Sequence, residues 1–251
     1  MFRALYVVVL TFAYILVTGP PILLIAGIAK RGDWVFRVGR VGARLAVWLG
    51  GVKLKVQGLE KIPPGSAVVF MANHQSNYDP PALIAVLPVL TVMVKKEFFR
   101  VPILGRAMLA CYMIPVDRKS PEAARRAVDK AVETVRAGHS MLVFPEGTRS
   151  PDGRLQAFKK GVFVLAMQAG APIVPISISD SRKIMRKGDS AIRPGTVRIT
   201  VHAPVTTQGC PVEDRPRIMN EVRQAILSGL TEEEQPLQVE RESPAASSSH
   251  A

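Results

Sequence analysis

Apolar and polar positions divide this chain into differently patterned regions. Residues 4–29 form an apolar run without a charged side chain, residues 33–49 repeat apolar positions at helical spacing, and residues 52–227 alternate short apolar runs with helical repeats. After residue 230 large apolar residues become rare. The first region predicts a membrane-associating segment, the second an amphipathic helix, and the third an α/β domain.

The apolar run is long enough to cross a bilayer as one helix, because 26 residues at about 1.5 Å each exceed a hydrocarbon core of roughly 30 Å. Gly19, Pro20 and Pro21 interrupt its helical pattern. Two interpretations remain open: a tilted or kinked single span, or two short helices that form a re-entrant hairpin in one leaflet. A cleaved signal peptide ranks third, because the apolar run continues past the break and Arg3 is the only basic residue before the run.

Residues 33–49 have the spacing of an amphipathic helix. Three arginines, Arg37, Arg40 and Arg44, line one face. The apolar face consists of Trp34, Val38, Val41, Leu45, Trp48 and Leu49. A basic helix with tryptophans on its apolar side is typical of a membrane interface. The alternative is a helix that packs on the soluble core and exposes its basic face.

The longest region predicts alternating strands and helices. The predicted strands are residues 53–56 (at an edge of the sheet), 67–71, 90–94, 113–116, 141–144, 173–178 and 196–201. The predicted helices are residues 80–87, 121–137, 158–169 and 214–227. This alternation indicates an α/β fold with a mixed, mostly parallel sheet flanked by helices.

The chain is therefore predicted to contain one core domain and two appendages. Residues 1–49 form the membrane anchor and the basic amphipathic helix, and residues 50–230 form the core domain. Residues 231–251 contain five glutamates, one arginine and few large apolar residues, a composition that predicts a disordered acidic tail.

Charge is distributed unequally along the chain. The net charge is +13, but the last 21 residues contribute −4, so the first 230 residues carry +17. Basic and aromatic residues are not interleaved, so anionic lipid, phosphate and coenzyme A are better partners for this charge than nucleic acid. The basic residues that follow the apolar run, beginning with Lys30, predict that the core domain stays on the cytoplasmic face. Cys111 and Cys210 are isolated and suit a reducing compartment.

A first candidate for chemistry is the segment 73–79, which follows the predicted strand 67–71 and contains His74 and Asp79. A neutral imidazole accepts a proton at about pH 7, and a carboxylate on its other ring nitrogen fixes the tautomer and stabilises the imidazolium. The pair predicts a general base with an orienting group and no side-chain nucleophile. The alternative is that Asp79, followed by Pro80, caps a helix and that His74 is a polar loop residue.

A second candidate is the segment 144–150, which follows the predicted strand 141–144. Its Glu-Gly-Thr-Arg sequence places a flexible glycine, a hydroxyl and a guanidinium after the strand, and Lys159 and Lys160 stand near the start of the next helix. These groups predict an anion-binding site. The alternative is a surface turn held by a salt bridge between Glu146 and Arg149.

Together, in this order and about 70 residues apart, the two segments resemble motifs of the glycerolipid acyltransferase family. His74 and Asp79 match a His-x4-Asp motif, and residues 144–150 match Phe-Pro-Glu-Gly-Thr-Arg-Ser without a change. Two weaker family blocks resemble residues 112–118, which end in Arg118, and residues 173–178. The resemblance covers roughly residues 50–205 and is closest to the 1-acylglycerol-3-phosphate acyltransferases.

The resemblance implies that residues 50–230 are an acyltransferase domain that acylates the sn-2 hydroxyl of 1-acylglycerol 3-phosphate, giving phosphatidic acid. His74 would be the general base and Asp79 its orienting partner, without an acyl-enzyme. The residues expected to bind the phosphate of lysophosphatidic acid are Arg118, Glu146, Gly147, Thr148, Arg149 and Lys159. The donor would be acyl-CoA or acyl carrier protein, a co-substrate, with no further cofactor and no metal ion.

The expected location is the inner, cytoplasmic membrane. The basic residues after the apolar run predict a catalytic domain on the cytoplasmic face, and the net charge predicts contact with anionic lipid. The apolar stretch 103–110 is assigned to core packing, with the lining of an acyl tunnel as the alternative. Two other functions remain open. One is an acyltransferase for another lysophospholipid or an amino-acid lipid, and the other is a non-catalytic membrane-binding protein in which both motifs are structural.

Overall fold

The computed structural model describes residues 2–117 and 120–237. The helices are α1 (Phe2–Ala29), α2 (Gly32–Leu49), α3 (Asp79–Val86), α4 (Leu104–Ala110), α5 (Pro121–Arg136), α6 (Lys160–Ala169), α7 (Ser181–Ile184) and α8 (Arg215–Ser228). The strands are β1 (Val52–Gln57), β2 (Val69–Ala72), β3 (Thr91–Lys95), β4 (Ile114–Val116), β5 (Met141–Val143), β6 (Ile173–Ser179) and β7 (Gly195–Val201). Short 3-10 helices are Leu59–Lys61, Lys96–Arg100, Val212–Asp214 and Glu232–Glu234.

The strands form one sheet in the order β1-β7-β6-β2-β5-β3-β4. Only the pair β6–β7 is antiparallel, and every other neighbouring pair is parallel. The predicted fold class is therefore confirmed, and β1 is an edge strand as expected. The central strands β2, β5 and β6 are buried along their whole length because helices cover both of their faces, and only β6 carries polar side chains, Ser177 and Ser179.

Alternate side chains of β2 enter two different layers of the core. Phe70 and Ala72 pack with apolar residues of α2 and α3, whereas Val69 and Met71 pack with those of α5, α6 and α8. This is the two-residue period of a strand buried on both faces. Packing on both faces holds β2 in the middle of the domain, and with it the start of the loop that follows.

The apolar N-terminal run forms one continuous helix, α1, that includes Pro20 and Pro21. The re-entrant hairpin broken at residues 19–21 is therefore not formed. Instead α1 pairs with α2: the Tyr6 hydroxyl donates to the carbonyl of Leu49, and the Tyr14 hydroxyl donates to that of Val38 at 2.8 Å. These contacts, together with the turn at residues 30–31, make α1 and α2 an antiparallel pair.

Helix α1 also contacts the domain. At Gly19 an added Cβ would lie 2.3 Å from the side chain of Ile103, so only glycine permits this approach of α1 to the start of α4. More than half of the large apolar side chains exposed in the described residues belong to α1. By length and composition α1 is, in the same part of the chain, the one helix able to cross a membrane. These properties indicate that the N-terminal segment associates with a membrane.

Helix α2 presents different apolar residues to the core and to solvent. Val35, Phe36 and Val47 are buried, whereas Trp34, Val41 and Trp48 are exposed, Trp48 by 72%. The exposed residues belong to the apolar face predicted from the sequence. This arrangement favours the membrane-interface interpretation over simple packing on the core.

The prediction of a disordered acidic tail from residue 231 is wrong for its first seven residues. Residues 231–237 fold onto the domain, where Glu234 is buried and accepts hydrogen bonds from the Ser179 hydroxyl and the Asp180 amide, both at 2.7 Å. The local run of three glutamates hid this role, because only one of them faces inward. Residues 238–251 lie outside the described residues.

Candidate active site

Two strand-to-helix loops form the site because their strands are neighbours. In the sheet β2 and β5 are parallel, with Met71 opposite Val143, so their carboxyl ends stop at the same edge. The loop after β2 carries His74, and the loop after β5 carries Glu146. The His74 amide donates to Glu146 Oε1 at 2.6 Å, which joins the two loops directly.

His74 and Asp79 are in contact. The distance from His74 Nδ1 to Asp79 Oδ2 is 2.7 Å, and Asp79 is fully buried. The same carboxylate oxygen accepts the amide N–H of Gln75 and Ser76 at 2.7 and 2.8 Å. Because these amides fix the carboxylate, His74 is held with Nδ1 towards Asp79, and Nε2 remains for a proton from outside.

Asp79 is the first residue of α3, and the helix cap is Tyr78, which makes no side-chain capping bond. The helix-cap interpretation of Asp79 is therefore wrong. The imidazole of His74 also stacks on the Phe144 ring, with centroids 4.0 Å apart and planes inclined by 19°. Phe144 belongs to the second motif, so both motifs restrain the same ring.

The backbone of the His74 loop is anchored by two polar side chains. Asn73 exchanges two hydrogen bonds with the backbone of Ile178 on β6, at 2.8 and 2.7 Å. The Ser76 hydroxyl donates to the carbonyl of Met185 at 2.8 Å and accepts the amide of Tyr78 at 3.0 Å. Sequence reasoning gave these residues no such role, because their partners lie more than 100 positions away in two of the three cases.

Glu146 lies elsewhere than in the expected phosphate-binding set. It is 2% exposed, and its second oxygen accepts the amide of Gln156 at 3.0 Å. Among the described residues it forms no ion pair with Arg149, so the alternative of a surface salt bridge is also wrong. Burial raises the pKa of Glu146 to about 7. The carboxyl group thus binds backbone amides inside the protein and does not face a ligand.

The other predicted binding residues surround the edge of the site. Gly147 has a positive φ of 73°, and an added Cβ would lie 3.3 Å from Cγ of Lys159, so the loop and this lysine are in close contact. Thr148 and Lys159 are exposed and Arg149 is half-buried. The Ser150 amide donates to the carbonyl of His74 at 2.7 Å, which places Arg149 beside the His74 loop. Arg118 lies outside the described residues.

An apolar cavity of about 290 Å³ adjoins this site. It lies between α1, α2, α3 and α4, and its wall includes Pro80 and Pro81, which directly follow Asp79. Small residues of α2 create the space, among them Gly39 and Gly42. The stretch 103–110 contributes Leu104, Ala107 and Met108, so it lines a cavity as well as packing in the core.

A His–Asp pair at the carboxyl edge of a mostly parallel sheet, adjoining an apolar cavity, defines an α/β enzyme that handles a substrate with an apolar part. A family model described as "Acyltransferase" matches residues 53–179. The chain belongs to this acyltransferase family, and the resemblance inferred from its motifs is confirmed at that level.

Individual relatives are more specifically named. The chain is 34% identical over 193 residues to a chloroplastic 1-acyl-sn-glycerol-3-phosphate acyltransferase of Brassica napus, a match that covers 76% of this chain and 56% of the relative. It is 32% identical over 201 residues to a 1-acyl-sn-glycerol-3-phosphate acyltransferase of Limnanthes douglasii, covering 79% and 71%. The chain thus spans little more than half the length of the Brassica napus relative.

A solved structure is similar over nearly the whole chain. It is the 1-acyl-sn-glycerophosphate (LPA) acyltransferase PlsC from Thermotoga maritima, with a TM-score of 0.80 and 27% sequence identity. The match covers 90% of this chain and 94% of that one. The likeness extends beyond the region matched by the family model.

Proposed function

We propose that the protein transfers an acyl group from an acyl thioester to the sn-2 hydroxyl of 1-acylglycerol 3-phosphate, giving phosphatidic acid. The contact between His74 Nδ1 and Asp79 Oδ2 carries this proposal, because it makes His74 a base for an external hydroxyl. The names of the relatives support the choice of acceptor. The apolar cavity and the exposed apolar face of α1 support a lipid substrate.

In the proposed reaction His74 Nε2 takes the proton of the acceptor hydroxyl as its oxygen attacks the thioester carbonyl carbon. Asp79 stabilises the imidazolium that forms. The tetrahedral intermediate then collapses, the carbon–sulfur bond breaks, and the thiolate leaves with the proton from His74. No acyl-enzyme is required, since a thioester is already an activated donor.

The phosphate of the acceptor is assigned to the loop after β5. Thr148 presents a hydroxyl there, Arg149 and Lys159 present two cations, and Gly147 forms the turn that carries them. Arg118 is assigned to the same set from its motif. A guanidinium matches a phosphate with two parallel hydrogen bonds. Glu146 positions this loop and the His74 backbone and does not bind the phosphate itself.

The acyl chain is assigned to the apolar cavity, and the donor to acyl-CoA or acyl carrier protein approaching from the aqueous side. Helix α2 is tied to the domain, since Tyr78 donates to the carbonyl of Ala46 at 3.0 Å and Arg44 donates to that of Ala85 at 2.9 Å. The pair α1–α2 and the domain therefore bind the membrane as one unit. We place the protein at the inner membrane with this domain on the cytoplasmic face, held by anionic lipid.

Thiol release from oleoyl-CoA by the purified full chain tests the proposed function. Release should depend on added lysophosphatidic acid and disappear in His74→Ala. His139→Ala is the matched control, because His139 stacks on Tyr112 away from the site. Release without any acceptor would indicate a thioesterase. Release with another lysophospholipid or an amino-acid lipid, and none with lysophosphatidic acid, would reject the proposed acceptor.

A further inference from the structure

The chain that follows β6, residues 181–187, lies against both loops of the candidate site. Because β6 is parallel to β2, its carboxyl end reaches the same edge of the sheet as the His74 loop. The Ser76 hydroxyl donates to the carbonyl of Met185, and Lys187 Nζ donates to the carbonyl of Arg149, both at 2.8 Å. The 181–187 segment therefore joins the two loops, although it belongs to neither motif.

Positive charge in this segment is largely unmatched. Of its four basic side chains, Lys183 is paired with Asp180 at 2.8 Å. Within residues 2–117 and 120–237, none of Arg182, Arg186 and Lys187 has a carboxylate at ion-pair distance, and the same holds for Arg149. The segment thus adds unpaired cations to the basic side of the site.

Arg182 is held across the loop that follows Arg149. Its Nη2 donates to the carbonyl of Pro151 at 3.2 Å. At Gly153, where φ is +94°, an added Cβ would lie 2.7 Å from Cδ of Arg182. The absence of a side chain at residue 153 therefore allows the arginine to lie there, and the guanidinium is fixed beside the loop rather than extended into solvent.

Several polar atoms around this junction are buried and lack a hydrogen-bond partner among the described residues. They are Arg149 Nη1, Arg182 Nε, Ser181 Oγ and both amide atoms of Gln75, whose side chain is 1% exposed. An unsatisfied buried polar atom is unfavourable, and a cationic one more so. A single anion with several acceptor oxygens would satisfy guanidinium donors and neutralise their charge.

We propose that Arg182 and Lys187 bind a phosphate group of a substrate together with Arg149, so that the 181–187 segment forms a further wall of the phosphate site. The ligand chemistry is a phosphate ester. Two sources fit it: the phosphomonoester of the acceptor, and the phosphates of a coenzyme A donor. The proposal rests on the proposed function only for the identity of these substrates.

Binding without turnover tests this assignment. Isothermal titration calorimetry of the full chain with glycerol 3-phosphate, and separately with coenzyme A, compares wild type with Arg182→Ala and Lys187→Ala. Lys187 is exposed, so its variant remains informative even when loss of the half-buried Arg182 unfolds the protein. Lys183→Ala is the matched control, because it removes the same charge from the same segment but from a residue paired with Asp180.

The expected result is a loss of affinity of about ten- to a hundredfold in both variants and none in the control. A loss confined to glycerol 3-phosphate assigns the site to the acceptor, and a loss confined to coenzyme A assigns it to the donor. Unchanged affinity for both ligands, or an equal loss in Lys183→Ala, overturns the proposal.

Thiol-release assays on the same proteins separate this proposal from the proposed function. Acyl transfer by the wild type, combined with normal ligand affinity in Arg182→Ala and Lys187→Ala, leaves the function standing and rejects the new site. Phosphate binding that depends on both residues, in a protein that transfers no acyl group, retains the site and rejects the function.

Discussion

At the scale of single residues, two buried carboxyl groups hold His74 in different ways. Asp79 contacts the ring through Nδ1 at 2.7 Å, and Glu146 contacts the backbone through the amide at 2.6 Å. Loss of the first should affect proton transfer, whereas loss of the second should affect the position and stability of the loop. Substitutions of the two residues are therefore expected to differ in both kinetics and pH dependence.

We expect Asp79→Asn to lower kcat about a thousandfold or more with little change in KM, because a neutral amide no longer stabilises the imidazolium. Thiol release with oleoyl-CoA and lysophosphatidic acid measures both constants. Asp189→Asn is the control, since Asp189 is a partly exposed carboxylate paired with Arg193 at 2.7 Å. A kcat equal to that of the wild type would rule out the assigned role of Asp79.

Glu146→Gln is expected to change how stability depends on pH. Burial raises the pKa of Glu146 in the folded protein from 4.5 to about 7, so the folded state holds this proton more tightly than the unfolded state. Its contribution to the free energy of unfolding is therefore full below pH 4.5 and is lost as pH rises towards 7. The contribution of Glu146 that is lost over this pH range is about 3 kcal/mol in the free energy of unfolding.

Denaturant unfolding at pH 5 and pH 8 measures this difference. The wild type should lose more stability than Glu146→Gln between the two pH values, and Glu213→Gln, at an exposed position, should behave as the wild type. Parallel loss in wild type and Glu146→Gln would contradict the raised pKa.

The sequence predicted the pairing of His74 with Asp79 because both lie in one loop with four residues between them. It did not predict the role of Glu146. The two amides that this carboxylate accepts lie 72 and 10 positions away, and their approach depends on the register of β2 against β5. For the same reason the sequence gave no sign of the contacts made by Arg182 and Lys187.

At the scale of elements, the sequence predicted helix α2 almost to the residue but not the packing of α1 against it. Helical periodicity is a local property, whereas the pairing of α1 with α2 depends on individual contacts such as Tyr14 with Val38. From the sequence, the two prolines in α1 left both a single span and a broken hairpin open. In the structure α1 is continuous through both prolines, and Gly19, directly before them, packs against Ile103 at the start of α4.

The cavity between these helices leads to a prediction about the length of the acyl chain that the enzyme prefers in its thioester donor. Gly39 lines it, and an added Cβ at Gly39 meets no atom within 4 Å, so the first carbon of a side chain fits there and Gly39→Leu adds volume at the wall of the cavity. We expect the ratio of kcat/KM for oleoyl-CoA to that for decanoyl-CoA to fall about tenfold. Leucine is also the better helix former, so α2 should not be weakened.

Gly27→Leu is the matched control for this substitution. An added Cβ at Gly27 likewise meets no atom within 4 Å, and Gly27 does not line the cavity. Both variants should be assayed in detergent, where membrane binding does not limit the rate. The same donor ratio in Gly39→Leu, Gly27→Leu and wild type would exclude the cavity as the acyl-chain site.

At the scale of the whole molecule, segments distant in the chain meet at one edge of the sheet. The strands themselves were predictable because most are short, strongly apolar runs. Their order was not, since β7 returns antiparallel to β6 and lies between β6 and β1. Sheet order depends on which long connections pack together, and no local pattern records that.

Residues 231–237 connect this edge to the end of the described chain. Glu234 accepts the Ser179 hydroxyl, the Asp180 amide and the Thr231 amide through its side chain, and its carbonyl accepts the amide of Leu155. One residue therefore ties the end of β6 to the loop that carries the second motif. Its position in an acidic run had predicted disorder.

Two shortened chains test this connection. A chain that ends at residue 237 keeps all of these contacts and is the reference. A chain that ends at residue 230 leaves the hydroxyl of Ser179 and the amides of Asp180 and Leu155 without these acceptors, so it should lose about 2–4 kcal/mol. Glu234→Gln should reproduce part of the loss and Glu233→Gln, at an exposed position, none. Equal stability of both shortened chains would contradict the role assigned to residues 231–237.

The same contacts fix the start of the 181–187 segment. The shorter chain should therefore also bind glycerol 3-phosphate more weakly than the chain that ends at residue 237.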